Sequence, residues 1–250
     1  MAEQAPADSA GVPWTGRTLP QGGFDGDSGG ADPALATALQ RRAAGEPADA
    51  DADAEVVAAL AGARLMVPVV AVLGVGVEAA HGTADKQADM ALVTLTGPDG
   101  QRALPVFSSL ESLQQWDSTA RPVPVECRRA AMSAVAEGCH VMVVDPAGPV
   151  TFVVSRPALW AIGQGRRWLP ADRDPEVLAA LDEVARAVPD VVSITAERGH
   201  EAELRVVIAV AAGRDRDGVR AVAEEVGRRL QASDVVLERV DGVELAVVTA

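Results

Sequence analysis

Residues 90–116 read MALVTLTGPDGQRALPVFSSLESLQQW. The stretch holds two apolar segments on either side of Gly97-Pro98-Asp99-Gly100. Glycine and the Asp-Gly pair supply the backbone freedom that a hairpin turn needs, so the pattern predicts two strands joined at this point.

The second of these strands leads into a corner. Phe107 ends the strand, and Ser108 and Glu111 then have the S-x-x-E spacing of a capping box, which predicts that a helix begins here. Leu113 and Trp116 fall on one face of that helix at three-residue spacing. We therefore expect Phe107 and Trp116 to close over the same apolar strip, on opposite sides of the cap.

Similar signals divide the flanking chain into helices and strands. Pro68 places the first Val-rich strand at an edge or a bulge of its sheet, because proline has no N–H to give to a ladder. Helices are predicted over DPALATALQRRAAGEP (32–47), EVVAALAGA (55–63), RRAAMSAVAEG (128–138) and RPALWAIGQG (156–165), and strands over RLMVPVVAV (64–72), CHVMVVD (139–145) and VTFVV (150–154).

The composition changes at ADRDPE, residues 171–176, where Asp174 and Pro175 start a new helix. The remainder predicts an α-β-β-α-β-β unit, whose last two strands are VVLERV (235–240) and VELAVVT (243–249). We therefore predict an α+β protein made of two small α/β-type domains, with mixed sheets flanked by helices. The predicted divisions are a disordered N-terminal tail over 1–31 and domains over 32–171 and 172–250.

Composition restricts the classes of function. The 250-residue chain is 48% hydrophobic and 23% charged with a net charge of −14, and an acidic chain repels phosphate backbones and anionic lipids. We expect neither nucleic-acid nor membrane binding, since the longest apolar run, LMVPVVAVLGVGV (65–77), is too short to span a bilayer. The N-terminus has no secretion signal, so a cytoplasmic location is expected.

No motif predicts catalysis, a cofactor or a metal. GVGVEA (74–79) matches G-x-G-x-x-A, but the dinucleotide fingerprint needs a helix directly afterwards and His81-Gly82-Thr83 interrupts it. The three histidines and two cysteines lack metal-ligand spacing, and Cys127 and Cys139 are expected to be reduced and structural. No G-x-S-x-G or P-loop occurs.

The aromatic residues are the remaining candidates. The chain has no Tyr, three Phe and four Trp, and five of these seven rings lie within residues 107–168. They predict either core packing or a partly exposed aromatic groove for a protein or peptide, because Trp and Arg are favoured interface anchors. Trp168, which follows Arg166 and Arg167 and precedes Pro170, is the best candidate for an exposed anchor.

The MALVTL strand, the RALPVFSS strand and corner, the helix ending at Trp116 and the DPAGP turn at 145–149 together resemble the SseB N-terminal domain, in the form common in actinobacteria. The resemblance covers about residues 33–165, and the layout of the remainder is similar to the SseB C-terminal domain. The acidic insert around 46–55 departs from the family pattern. The resemblance implies a non-enzymatic cytoplasmic α+β protein and carries over no catalytic residues.

Three hypotheses follow. The first is a binding or regulatory module without cofactor or metal, whose protein or peptide partner contacts Phe107, Trp116, Pro146, Pro149, Trp160 and Trp168. The second, which rests on the serine sensitivity that gave the family its name, is a small-molecule sensor or enzyme that uses the helix start at Ser108-Ser109. The third is a homo-oligomer that pairs exposed Val-rich strand edges between subunits.

Overall fold

The structure is a computed structural model that describes Phe24 and residues 26–45, 50–73, 88–97 and 100–250. The GVGVEA motif, Trp14, His81 and the Pro98-Asp99 pair lie outside the described residues. The first part of the chain contains α1 (Pro33–Ala44), α2 (Ala50–Gly62), β1 (Arg64–Leu73), β2 (Ala88–Leu92), β3 (Leu95–Thr96), β4 (Arg102–Val106), α3 (Leu110–Trp116), β5 (Arg121–Glu126), α4 (Cys127–Ala136), β6 (Val141–Val144), β7 (Phe152–Val154) and α5 (Arg156–Gln164).

Two sheets form in this part, with strand orders β2-β1-β5 and β3-β4-β6-β7. An antiparallel bridge between Met66 and Phe107 joins them. Side chains alternate along each strand, so the two faces bury different sets. Leu104 and Val106 face the main core beneath α1, α2, α4 and α5, whereas Met66 and Phe107 face a smaller core beneath α3.

The stretch MALVTLT contributes a strand to each of the two sheets. Its first part lies in β2, which pairs with β1, and its last part forms β3, which pairs with β4 in the register Leu95↔Ala103 and Thr96↔Arg102. The predicted hairpin is therefore present between β3 and β4, with Gly100 at a φ of 80° that favours glycine. The chain passes from one sheet to the other between Leu92 and Leu95, and no turn residue in the sequence signals this change.

Pro68 lies in the central strand β1, so the predicted edge or bulge position is wrong. Pro68 faces Pro122 of β5, and the ladder between β1 and β2 begins only at Val69↔Leu92. Pro68 thus lies just beyond the end of β2, and Val93 N–H donates to its carbonyl at 3.3 Å. A central strand tolerates proline at a point where no neighbour needs its N–H.

The second part of the chain contains α6 (Pro175–Ala187), β8 (Val191–Arg198), β9 (Leu204–Val210), α7 (Arg216–Gln231), α8 (Asp234–Arg239) and β10 (Val243–Thr249). The predicted strand VVLERV is wrong, because these residues form α8 with Ser233 as N-cap. Val236 and Val240 are both buried and lie four residues apart, a spacing that puts them on one face of either a helix or a strand, so this pattern does not distinguish the two. The sheet order is β10-β9-β8, and β10 runs parallel to β9 after a crossover through α7 and α8.

Each part of the chain has its own core. The main core of the first part includes Leu159 and Ile162 and packs against Trp168, whereas the core of the second part begins at Ala171. Ion pairs join the two parts, among them Arg156–Asp241 at 3.3 Å and the pair of Arg166 with Glu238. No helix in the described part of the chain is long and apolar enough to cross a membrane.

Residues 26–31 make specific contacts with the first part of the chain. Arg64 forms an ion pair with Asp27 at 2.5 Å and donates to the carbonyl of Gly30 at 2.5 Å. Leu110 N–H donates to the carbonyl of Gly29 at 2.8 Å. Residues 26–31, which the sequence assigns to a disordered tail, therefore pack against the start of α3.

Candidate functional site

The helix start at the corner differs by one residue from the predicted one. Ser109, not Ser108, is the N-cap of α3, and its hydroxyl accepts from Ser112 N–H at 3.0 Å. The predicted capping box of Ser108 and Glu111 is therefore wrong. Two adjacent serines both suit a cap, and the sequence pattern could not choose between them.

Ser108 instead bonds to the turn that follows β6. Its N–H donates to Asp145 Oδ1 at 2.9 Å and its hydroxyl donates to Asp145 Oδ2 at 2.6 Å. Both residues are 6% exposed, and Asp145 has a φ of 49°, which Asp tolerates better than most residues. Because β4 and β6 are parallel neighbours, their carboxyl ends meet and this bond locks the two connecting segments together.

This corner brings together Phe107 and Trp116, two of the six proposed partner-binding residues. Their rings lie 5.3 Å apart at 40°, and the bond between Ser108 and Asp145 joins the corner to the start of the turn that holds Pro146 and Pro149. Phe107 is fully buried, so it shapes the corner from inside and offers no surface to a partner. Trp116 and Pro146 are partly buried and Pro149 is exposed.

The other two proposed residues lie on the opposite side of the sheet, in and after α5. Trp160 is 41% exposed, whereas Trp168 is partly buried against the main core. The sequence favours Trp168 as the exposed anchor, but the structure exposes Trp160 more. Trp168 and Pro170 border a cavity of about 360 Å³ between the two parts of the chain. The six residues therefore do not form one continuous surface.

Two large apolar side chains are exposed on the packed helices α4 and α5, and we call this region the α4–α5 surface: Met132, Trp160 and Gly163. Met132 is 57% exposed, and its Cγ lies 3.9 Å from the position that a Cβ on Gly163 would take. Gly163 follows Trp160 by three residues, so both lie on one face of α5. A thioether and an indole, two side-chain types that are enriched at interfaces, are thus exposed on either side of a glycine.

Positive charge borders this surface. Residues 127–170 contain five arginines and only two acids, within a chain whose net charge is −14. Arg128 donates to the carbonyl of Gly163 at 3.1 Å, which stabilises the end of α5. Arg128, Arg129 and Arg167 have no ion-pair partner among the residues that the structure describes. The sequence pattern treats these arginines as scattered, because only the packing of α4 against α5 brings Arg128 beside Gly163.

The thiols have no reactive character in this setting. Cys127 is fully buried, and burial raises its pKa to about 12. Burial also raises the pKa of Cys139. The thiolate is the nucleophilic form, so these pKa values oppose covalent chemistry. Within the described ranges, no group of three or more His, Cys, Asp or Glu side chains could hold a metal ion.

Sequence reasoning missed Met132 and Gly163. The available signal is the amphipathic pattern of α4, in which Cys127, Ala130, Ala131 and Ala134 form the buried face. Met132 falls outside that face, so the pattern predicts that this large apolar side chain is exposed. Its neighbour Gly163 belongs to another helix, and no spacing rule connects the two.

The fold places the protein in the α+β class. It has two hydrophobic cores, a closed corner and an exposed aromatic surface. A model described as the SseB protein N-terminal domain matches residues 35–161, just over half of the chain, and the chain belongs to the SseB family. No curated protein and no solved structure matches it.

Proposed function

We propose that this protein is a non-enzymatic cytoplasmic module that binds a protein partner through the α4–α5 surface. The observation that carries the proposal is the exposure of Met132 and Trp160 on either side of Gly163. Buried anchors at protein interfaces are enriched in Trp and Arg, and a methionine adapts its shape to different partners.

The charge around the surface supports a partner with acidic groups. Arg128 and Arg129 precede Met132 by one helical turn, and Arg167 follows the end of α5. Unpaired arginines at the border of an apolar surface attract a negatively charged partner and raise its association rate. The remainder of this acidic chain would repel the same partner, so the charge also selects where it docks.

The alternative, a serine-related ligand at the Ser108-Ser109 helix start, is not favoured. Asp145 accepts from the N–H and the hydroxyl of Ser108, and the hydroxyl oxygen of Ser109 accepts from the N–H of Ser112. The N–H groups of Ser108, Leu110 and Ser112 at this helix start are thus already bonded to groups of the protein. A ligand would have to displace a bond of 2.6 Å between two buried groups.

Affinity capture from the native cytoplasm, followed by mass spectrometry, tests the proposal. The amount of partner captured by the Trp160→Ala variant should fall by more than about tenfold, because interface tryptophans commonly contribute more than about 1.4 kcal/mol to the binding free energy. Leu178→Ala on α6 is the matched control, since Leu178 is 38% exposed and lies outside the α4–α5 surface. An identical set of captured proteins for both variants would refute the proposed surface.

A further inference from the structure

The outer edge of β10 has no strand paired with it in the part of the chain that the structure describes. Among the described residues β10 pairs only with β9, through bonds such as Leu204 N–H to Gly242 O at 3.1 Å and Ala250 N–H to Val210 O at 2.9 Å. Backbone groups alternate in direction along a strand, so the even-numbered residues of β10 face β9. The N–H and C=O groups of Val243, Leu245 and Val247 therefore point to the open edge.

The two edges of this sheet are not alike. The β8 edge has a register irregularity between Val191 and Ser193 and ends in the charged pair Glu197-Arg198, both of which discourage edge pairing. The β10 strand reads VELAVVT, with no proline and no irregularity in its register with β9. Its one charged group, Glu244, accepts from His200 N–H at 3.1 Å and so is held toward the β8–β9 turn.

A cavity of about 290 Å³ lies beside the open edge, between β10, α7 and α8. Its walls are mixed: they include the apolar side chains of Leu230, Val236 and Val240 together with Arg156 and Asp241. Leu237 is 52% exposed and Leu245 is 41% exposed, and both line this cavity, so two exposed leucines lie close together here. Gly227 of α7 also lines the cavity, and a Cβ there would lie 3.5 Å from Leu245 Cδ1, in ordinary van der Waals contact.

We propose that β10 pairs with β10 of a second copy of this chain, antiparallel and with Leu245 opposite Leu245. The sheet then continues through both copies, and the outward backbone groups of Val243, Leu245 and Val247 bond with each other. The side chains of these residues lie on the helix-covered face, because their β9 partners Leu204, Val206 and Ile208 are buried there. Each copy thus inserts a leucine beside the cavity of the other.

The self-complementarity of the strand favours a second copy over an unrelated chain. In this register Glu244 meets Ala246, so no like charges face each other. A two-fold axis also closes the assembly, and the β8 edge that would allow a growing filament is blocked by its irregularity and charges. The inference is independent of the α4–α5 surface, which belongs to other elements.

Light scattering after size-exclusion chromatography tests the pairing with the full chain. At a concentration of about 100 µM, the molar mass measured for the wild-type protein should be twice the 25.7 kDa of one chain. Leu245→Lys should elute as the monomer, and the matched control Val192→Lys should remain dimeric because Val192 is 60% exposed on the other edge strand. A monomeric wild type, or a dimer that survives Leu245→Lys, would overturn the inference.

A second variant keeps the test decisive if Leu245→Lys fails to fold. Leu245→Cys should form an intermolecular disulfide on mild oxidation, since directly opposed residues in an antiparallel pair have Cα atoms about 5.5 Å apart. Val192→Cys is its control and should remain reduced. The native thiols Cys127 and Cys139 are buried and should stay out of the reaction. Equal cross-linking of both variants, or of neither, would contradict the pairing.

Discussion

Asp145 is expected to determine the stability of the corner between β4 and β6. It accepts the N–H of Ser108 at 2.9 Å and the hydroxyl of Ser108 at 2.6 Å, and both residues are almost fully buried. Asp145→Ala leaves those two donors without an acceptor, whereas Asp145→Asn keeps one carbonyl oxygen for the N–H. The two substitutions should therefore differ strongly in their effect on the free energy of unfolding.

The magnitude follows from the bonds that are lost. A hydrogen bond to a charged group contributes about 1.5–3 kcal/mol, so two such bonds amount to about 4 kcal/mol. Alanine also tolerates the φ of 49° at this position less well than Asp or Asn, which adds about 1 kcal/mol. We expect Asp145→Ala to destabilise the protein by about 4–5 kcal/mol and Asp145→Asn by about 1–2 kcal/mol.

Urea unfolding followed by tryptophan fluorescence measures these values, because Trp116 packs against Phe107 at the same corner. Ser108→Ala removes only the hydroxyl bond and should lie between the wild type and Asp145→Ala. In the double variant the two effects should not add, since both remove the same bond. A loss below about 1 kcal/mol for Asp145→Ala would show that the corner does not depend on this carboxylate.

Three further predictions concern other buried or constrained groups. Cys127, with a pKa of about 12, should resist a maleimide at pH 8 in the folded protein and react after unfolding, and rapid labelling of folded protein would contradict its burial. Burial raises the pKa of the Glu203 carboxyl above 4.5, so the folded state binds the carboxyl proton more tightly than the unfolded state does. The free energy of unfolding of the wild type should therefore fall as the pH rises through that raised pKa. Glu203→Gln should be more stable than the wild type at pH 7 but not below pH 4.5. Gly165 has a φ of 70°, so Gly165→Ala should destabilise by about 1 kcal/mol, whereas the control Gly62→Ala, with nothing within 4 Å of the new Cβ, should not.

Elements with local signals were predictable from sequence. The Asp32-Pro33 and Asp174-Pro175 pairs each start a helix, and the side chain of each aspartate caps it as expected. Gly138, with a φ of 69°, is the residue just after the C-cap of α4, as predicted. These features depend on two or three adjacent residues, so no tertiary information is needed to find them.

Features that depend on distant contacts were not predictable. The VVLERV segment is rich in valine, which favours a strand, but it lies in α8, with Ser233 as its N-cap and with Val236 and Val240 buried in the core of the second part. The partner of Ser108 lies 37 residues away in the DPAGP turn, and only the parallel pairing of β4 with β6 brings it close. The α4–α5 surface likewise exists only after two helices separated by a β-hairpin pack together.

The most direct test of the binding proposal is photo-crosslinking in the native cytoplasm from a benzophenone side chain at position 132. Met132 is 57% exposed, so the substitution should leave the fold intact, and the probe at Leu178 of α6 serves as the control. The proposal predicts a discrete cross-linked species from position 132 that is absent from position 178 and is lost when Trp160→Ala is added. The same pattern from both positions, or a species that persists with Trp160→Ala, would contradict it.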